Sequence, residues 1–424
     1  MDEAYTAALA EIGPQLAEFY RDLHRHPELS LQETRTAGLV AEQLRGAGYE
    51  VTEGVGGTGV VGLLRNGPGP VVLVRADMDA LPVEENTGLP YASTVRALDH
   101  NGREMPVMHA CGHDVHTTCL VGAATLLSRG AHAWSGTLVL VFQPAEELGR
   151  GARAMIDDGL FERFPSPEII LGQHVVPAPA GIIAYSLGPL MAAADTVHIV
   201  LHGRGGHGAR PQAAIDPVLM AAHVVVRLQG IVAREVAPGE MAVVTVGQLH
   251  AGTKSNIIPD TAELDVNVRT YSEPVRAAVR EAIERIVRAE AQASGATQDP
   301  EFTWDAADMP VLISDPEATR TTVEALSRHF GAERLIETSP LTTSEDAGVF
   351  GRSAKVPTVY WLLGGTEPAT AIAAFSEGRG DRLPSNHSPE FAPVIEPTLS
   401  TGVQALTAAA LAWLDTPGAA PATR

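Results

Sequence analysis

Apolar positions at Leu9, Ile12, Leu16, Phe19, Tyr20 and Leu23 recur near helical spacing and predict an amphipathic helix over 3–25. Pro27 ends it, because a proline disfavours helix in the residue before it. A second helix is predicted over about 33–47, stopping at Gly48. The pattern then changes to short apolar runs, Val60 to Leu64 and Val71 to Val74, separated by a Gly/Pro turn. The second run is apolar at every position, as expected of a strand covered on both faces. Further strands are predicted over 136–142 and 168–172, with a helix over 114–128 between the first and second pairs. Strands alternating with helices describe an α/β domain with a mostly parallel sheet.

Around residue 190 the texture changes to strict alternation, with Val197, Ile199 and Leu201 on one face and His198 on the other. A helix over 215–235, strands over 241–249 and 261–270, a helix over 273–293 and a strand over 301–305 follow. This βαββαβ order is that of a ferredoxin-like insert. The predicted division is therefore 1–189, a first part of the sheet domain; 190–308, the insert; and 309–424, the rest of the sheet domain. That last part holds a helix over 316–330, a strand over 358–362 and a final helix over 397–414. The stretch 364–383 is read as a loop bordering a substrate pocket, and the Ala/Pro-rich tail after Thr416 as disordered.

A length of 424 residues agrees with two domains. A formal net charge of −21 argues against nucleic acid or an anionic membrane as partner. No apolar run reaches the roughly 18 residues of a membrane helix, and the acidic start Met1-Asp2-Glu3-Ala4 lacks a secretory leader pattern. There are only two cysteines, Cys111 and Cys119. Eight helical residues would separate them by roughly 12 Å, beyond the ~7 Å reach of a disulfide. A reduced, cytoplasmic protein is expected.

The chemistry gathers in Met108-His109-Ala110-Cys111-Gly112-His113-Asp114-Val115-His116. A lone buried cysteine is usually core filler, and Cys119, inside an apolar helix, is read that way. Cys111 stands among three imidazoles and a carboxylate, the ligand types that suit zinc and its neighbours. Cys111 and His113 flank one glycine at a helix start, so a tight turn can aim both at one centre. His109 and His116 are read as partners for metal-bound imidazoles. Glu146-Glu147 follows an apolar strand, and in extended chain the two would point to opposite sides, one towards a metal and one towards water. A solvated acidic pair is the plain alternative. His174 and His387, each more often structural when taken alone, complete a set large enough for two metals. Gly205-Gly206-His207 lacks nucleotide-fingerprint spacing and reads as a turn that projects His207.

These motifs, with Arg75-Ala76-Asp77-Met78-Asp79-Ala80-Leu81-Pro82, Gln143-Pro144-Ala145-Glu146-Glu147, Ser255-Asn256-Ile257-Ile258-Pro259-Asp260 and Asn386-His387-Ser388-Pro389, occur in order over about residues 20–395. Together they resemble the M20 metallopeptidase family, in the amidohydrolase branch of hippurate hydrolases, N-acyl-amino-acid aminoacylases and auxin-conjugate hydrolases. The chain is most similar in feel to actinobacterial Nα-acyl-glutamine aminoacylases. The resemblance implies two divalent metal ions per subunit, zinc first, with manganese, cobalt or nickel as alternatives. It places them on Cys111, His113, Glu147, His174 and His387, with Glu146 as general base and acid. It also implies that the insert is a lid and dimerisation domain, that His207 polarises the substrate carbonyl, and that Asn256 holds the substrate. Many relatives have a His-x-Asp metal motif where this chain has Arg75-Ala76-Asp77, which makes Asp77 an orienting group behind a ligand. The implied reaction is hydrolysis of an N-acyl amino acid, with the homodimer formed through residues 190–308. A dipeptidase or aminopeptidase of the same fold, and a non-catalytic metal-binding scaffold, are the competing readings.

Overall fold

Strand Val71–Asp77 lies at the middle of the main sheet because every residue from Val72 onward is buried. In the computed structural model, which describes residues 3–307 and 309–414, it pairs in parallel with Gly136–Gln143 on one side and Ile169–Pro179 on the other. The full order of the eight strands is Glu50–Val55, Gly59–Asn66, Gly136–Gln143, Val71–Asp77, Ile169–Pro179, Thr358–Thr366, Ile183–Tyr185 and Leu335–Glu337. The centre is parallel, while the first two strands add an antiparallel edge.

The alternation of side chains sorts the sheet into two layers. Val72, Val74, Leu138, Leu140 and Phe142 face a large core shared with helices Glu3–Arg25, Thr34–Gly46, His113–Arg129 and Ile395–Trp413. Leu73, Val139 and Val141 face the other side, under helices Gly151–Asp157 and Gly348–Ala354. Helix His113–Arg129 is buried on nearly all sides, which explains its weak amphipathic pattern. Its neighbour Ile395–Trp413 comes close through glycine: a Cβ on Gly402 would stand 2.5 Å from Cys119 Sγ and 2.8 Å from Leu363 Cδ2. Cys119 is accordingly core, fully buried and unpaired with Cys111, which is also a free thiol.

The chain forms two compact units: one runs to Leu190 and takes in Ile313–Ser339 and the chain from Asp346, and the other comprises Met191–Leu312 with Pro340–Glu345. The second has an antiparallel sheet in the order Ala242–Ala251, Thr261–Thr270, Ala193–His202 and Glu301–Trp304. Val197, Ile199 and Leu201 are fully buried in its core, and His198 on the opposite face bonds Asp265 at 2.7 Å. Helix Pro217–Arg234 departs from the membrane reading: with 18 residues and mean hydropathy 1.3 it is long and apolar enough to cross a bilayer. Its Met220, Ala221, Val224, Leu228 and Ile231 instead join the core of this unit.

Two expectations need correction. The stretch 364–383 is not a plain loop: the strand continues to Thr366, and helix Pro368–Ser376 follows. Glu367 caps that helix by accepting from Ala369 N and Thr370 N at 3.1 and 2.7 Å, with proline in its first turn. Strand Ile169–Pro179 is longer than expected, so His174 stands inside it, opposite Leu362, rather than at its end. The tail after Thr416 lies outside the described residues.

Gly402→Val is expected to destabilise the protein by about 1–3 kcal/mol through overpacking at Cys119 and Leu363. Thermal melting tests this, and an unchanged midpoint would contradict the close approach.

Candidate metal centre

The turn that carries Cys111 is held by its backbone. Met108 and Leu81 exchange two hydrogen bonds of 3.0 Å, which fastens the loop to the segment after Asp79. Gly112 then adopts φ 82° at the start of helix His113–Arg129, a left-handed conformation suited to glycine. A Cβ there would also meet Val175 Cγ1 at 2.3 Å. Cys111 and His113 thus leave the same turn towards one centre.

Strand Ile169–Pro179 contributes His174, whose Nδ1 donates to Val175 O at 2.8 Å. Its Nε2 lone pair therefore faces Cys111 Sγ, 3.4 Å away. His113 is set in the same way: Nδ1 bonds Asp79 Oδ1 at 3.2 Å, while Nε2 is buried with no hydrogen-bond partner among the described residues. Around that nitrogen lie Asp77 Oδ2 at 3.6 Å, Glu147 Oε1 at 3.8 Å and Glu146 Oε2 at 3.9 Å. His387 comes from a distant loop with φ 71°, tied by its N–H to Ala110 O at 2.7 Å. Its Nε2 is 3.3 Å from Glu147 Oε1. Asn386 braces the junction, donating to Cys111 O and Val175 O at 3.1 and 3.0 Å.

The five expected ligands are brought together. Donor atoms of Cys111, His113 and His174 lie within 4.8 Å of one another, as do those of Cys111, Glu147 and His387, and those of His113, Glu146 and Glu147. A neutral His174 nitrogen aimed at a thiol, and a buried His113 nitrogen that three carboxylates face without bonding, fit a divalent cation.

Three details differ from expectation. Glu146 and Glu147 do not sit in extended chain with opposite aims: Ala145 turns at φ 49°, ψ 40° into a short 3-10 helix, and both carboxylates face His113. Asp77 bonds His116 Nδ1 at 2.5 Å and takes Arg75 Nη1 at 2.8 Å, whereas the hydrogen bond to His113 comes from Asp79. Asp79 lies in the same Arg75 to Pro82 motif as Asp77, two residues further on. Both ring nitrogens of His109 are buried without a hydrogen bond among the described residues. Burial pushes that imidazole down to about 4. His116 does support the site, accepting Val175 N–H at Nε2, 2.7 Å.

His207 and Asn256 belong to the second unit. Gly206–His207 pairs with Ile257–Ile258 in a two-stranded ribbon, and Gly208 N–H donates to Asn256 O at 2.9 Å. Both side chains are exposed.

The charge balance is negative. Burial pushes the Cys111 thiol well above its ordinary range, and Glu147, Glu146 and Asp77 push it further the same way. Burial works against protonated His113, yet Asp77 and Asp79 raise it to about 10. His174 goes the other way, driven well down by burial and by His116.

A family model described as Peptidase family M20/M25/M40 matches residues 73–410. The chain belongs to this peptidase family. A hippurate hydrolase of Campylobacter jejuni is 40% identical over 346 residues, 81% of this chain and 86% of that one. Thermostable carboxypeptidase 1 of Saccharolobus solfataricus is 39% identical over 400 residues, 93% and 94% of the two chains. The solved structure of the Bacillus subtilis YXEP protein, described as a dinuclear metal-binding peptidase of the M20 family, superposes with a TM-score of 0.74 at 31% identity, covering 97% of this chain and all of that one. The M20 chain described here is a hydrolase with a mostly parallel α/β fold and donor groups for divalent metal.

Burial and the carboxylates around it favour the neutral thiol of Cys111, and Asp77 and Asp79 favour protonated His113 against the effect of burial. Zinc has to displace the protons so favoured, and its affinity is expected to climb between about pH 6 and 8 with release of protons. Calorimetry in buffers of different ionisation enthalpy measures this, and a pH-independent affinity would contradict the charge balance.

Proposed function

We propose that this M20 hydrolase cleaves the amide bond of N-acyl amino acids, giving a carboxylic acid and a free amino acid. The observation that carries the reading is Glu146: a buried carboxylate 3.9 Å from the unpaired nitrogen of His113, at the rim of the donor cluster. We assign two divalent ions, zinc first because of the thiol, to Cys111, His113, Glu147, His174 and His387. A bound divalent ion supplies Lewis acidity and brings the pKa of water towards neutrality. Glu146 takes the proton of the attacking water and returns it to the leaving nitrogen, a role that needs a carboxylate beside the ligands without being one of them. Asp79 and Asp77 keep His113 and His116 in their tautomers.

His207 is assigned to polarise the scissile carbonyl. Its Nδ1 accepts Ala209 N–H at 3.0 Å, so the neutral ring carries its proton on Nε2, the donor an oxyanion requires. Asn256, in the turn just before the ribbon strand Ile257–Ile258, is assigned to hold the substrate. A homodimer through residues 190–308 is supported by edge strand Ala242–Ala251, which leaves Val243 and Leu249 exposed, and by exposed Leu219 and Val226 on the adjoining helix. A reducing, cytoplasmic setting suits a free Cys111 thiol.

A second reading, a peptidase, is favoured by the 39% identity to a carboxypeptidase. A hydrolysis screen of N-acyl amino acids against free-amine dipeptides separates the two. Preferential release of amino acid from N-acyl substrates is expected, and preference for free-amine dipeptides would favour the peptidase. Glu146→Ala is expected to keep its metal by elemental analysis while turnover falls roughly 10²- to 10⁴-fold; near-parental turnover would remove Glu146 from the mechanism. Cys111→Ala is expected to lower metal occupancy, and full occupancy would break its assignment as a ligand.

A further inference from the structure

The two adjacent carboxylates Glu146 and Glu147 leave the main chain at an unusual place. Ala145 is fully buried and left-handed, at φ 49°, ψ 40°, a conformation that L-residues other than Gly, Asn and Asp seldom adopt. Something outside this segment has to hold it there. The N–H groups of Ala145, Glu146 and Glu147 have no helical partner at the start of the short 3-10 turn. All three are taken by two carboxylates from other parts of the chain. Asp79 Oδ1 accepts from Glu146 N at 3.2 Å and Asp79 Oδ2 from Glu147 N at 3.1 Å. Ala145 N donates to Glu33 Oε1 at 2.9 Å.

Glu33 is fully buried, and among the described residues it forms no hydrogen bond to an assigned metal ligand. Its other oxygen, Oε2, accepts from Thr58 Oγ1 at 2.5 Å. The residue stands at the start of helix Thr34–Gly46, where its carbonyl accepts from Ala37 N at 2.9 Å. One carboxylate therefore ties that helix and the turn before strand Gly59–Asn66 to the elbow that carries Glu146. On the other side of the elbow, Ala145 O accepts from Arg150 N and Gly151 N at 3.3 and 3.2 Å. Gly151 has no room for a side chain there, since a Cβ would lie 1.5 Å from Pro144 O. The elbow is thus clamped from both faces, and among the described residues Glu33 is the acceptor that grips the Ala145 N–H.

We propose that Glu33 is a positioning residue: by accepting the Ala145 N–H it holds the left-handed turn that aims Glu146 and Glu147 at the centre containing His113. Removing it frees Ala145 to relax towards right-handed or extended backbone, and a small change of dihedral angle there swings both carboxylates. The inference rests on the roles assigned to Glu146 and Glu147 under the proposed function.

The test compares Glu33→Ala, Glu33→Asp and Glu33→Gln in the full-length protein, by zinc affinity from chelator competition and by kcat and KM on an N-acetyl amino acid. Alanine removes the acceptor, and aspartate, one methylene shorter, withdraws it by about 1.5 Å. Both are expected to lose roughly 10- to 100-fold in zinc affinity and in kcat, with KM nearly unchanged, because aim is lost and no substrate contact is. Glutamine keeps an oxygen for the Ala145 N–H and can donate its amide to Thr58, so it is expected to restore most of both. Parental zinc affinity and kcat in the alanine or aspartate variant would overturn the proposal. So would a glutamine variant as impaired as alanine, since the lost property would then be charge. Should the alanine variant fail to fold, the aspartate and glutamine pair decides alone. The zinc series reads the elbow whatever the substrate: a parental protein that binds zinc but spares N-acyl amino acids counts against the proposed substrate and leaves this comparison standing.

Discussion

Buried negative charge around the His113 imidazole is the constraint on which this structure depends. Asp77, Asp79 and Glu146 are all buried, and all converge on His113. Taking carboxylates out of water is costly unless a cation or strong donors compensate. Arg75 compensates in part, reaching Asp77 at 2.8 Å and Asp346 at 3.2 Å from a position 1% exposed. The same carboxylates favour the cationic form of His113 and disfavour a thiolate at Cys111. A divalent ion would offset the same buried negative charge, which is why this cluster of donors fits one.

The fold serves that constraint by bringing distant segments to one edge. Strand Val71–Asp77 runs into the two aspartates, strand Gly136–Gln143 into the glutamate elbow, and Ile169–Pro179 passes His174 through the centre. Helix His113–Arg129 starts there as well, wedged among strands and helices by small residues such as Gly122 and Gly402. Open α/β sheets place ligand-bearing loops at the carboxyl ends of parallel strands for this reason. His174 shows the limit of the rule, since it is an interior strand residue opposite Leu362.

Much of this was legible in the chain. Uniformly apolar runs marked the central strands, period-two alternation marked the second unit, and thiol, imidazole and carboxylate at tight spacing marked the centre. Residues whose role depends on conformation were harder to read. Nothing in Pro144-Ala145-Glu146 signals a left-handed alanine, so an extended pair was the reasonable expectation and the wrong one. Asp79 is legible as part of the Arg75 to Pro82 motif, but its grip on His113 and on two backbone N–H groups requires the fold. Glu33 gave no signal, because its partners Thr58 and Ala145 are 25 and 112 residues away. Helix Pro368–Ser376 is different: Glu367-Pro368 is an ordinary helix start, overlooked beside the glycines that precede it.

The proposed chemistry and the charge balance both require that metal sit against sulfur. X-ray absorption on the zinc-loaded protein measures that directly. Sulfur at about 2.3 Å, with nitrogen and oxygen near 2.0–2.2 Å, is the result expected from Cys111 beside His113 and His174. A zinc environment of nitrogen and oxygen alone would contradict the account.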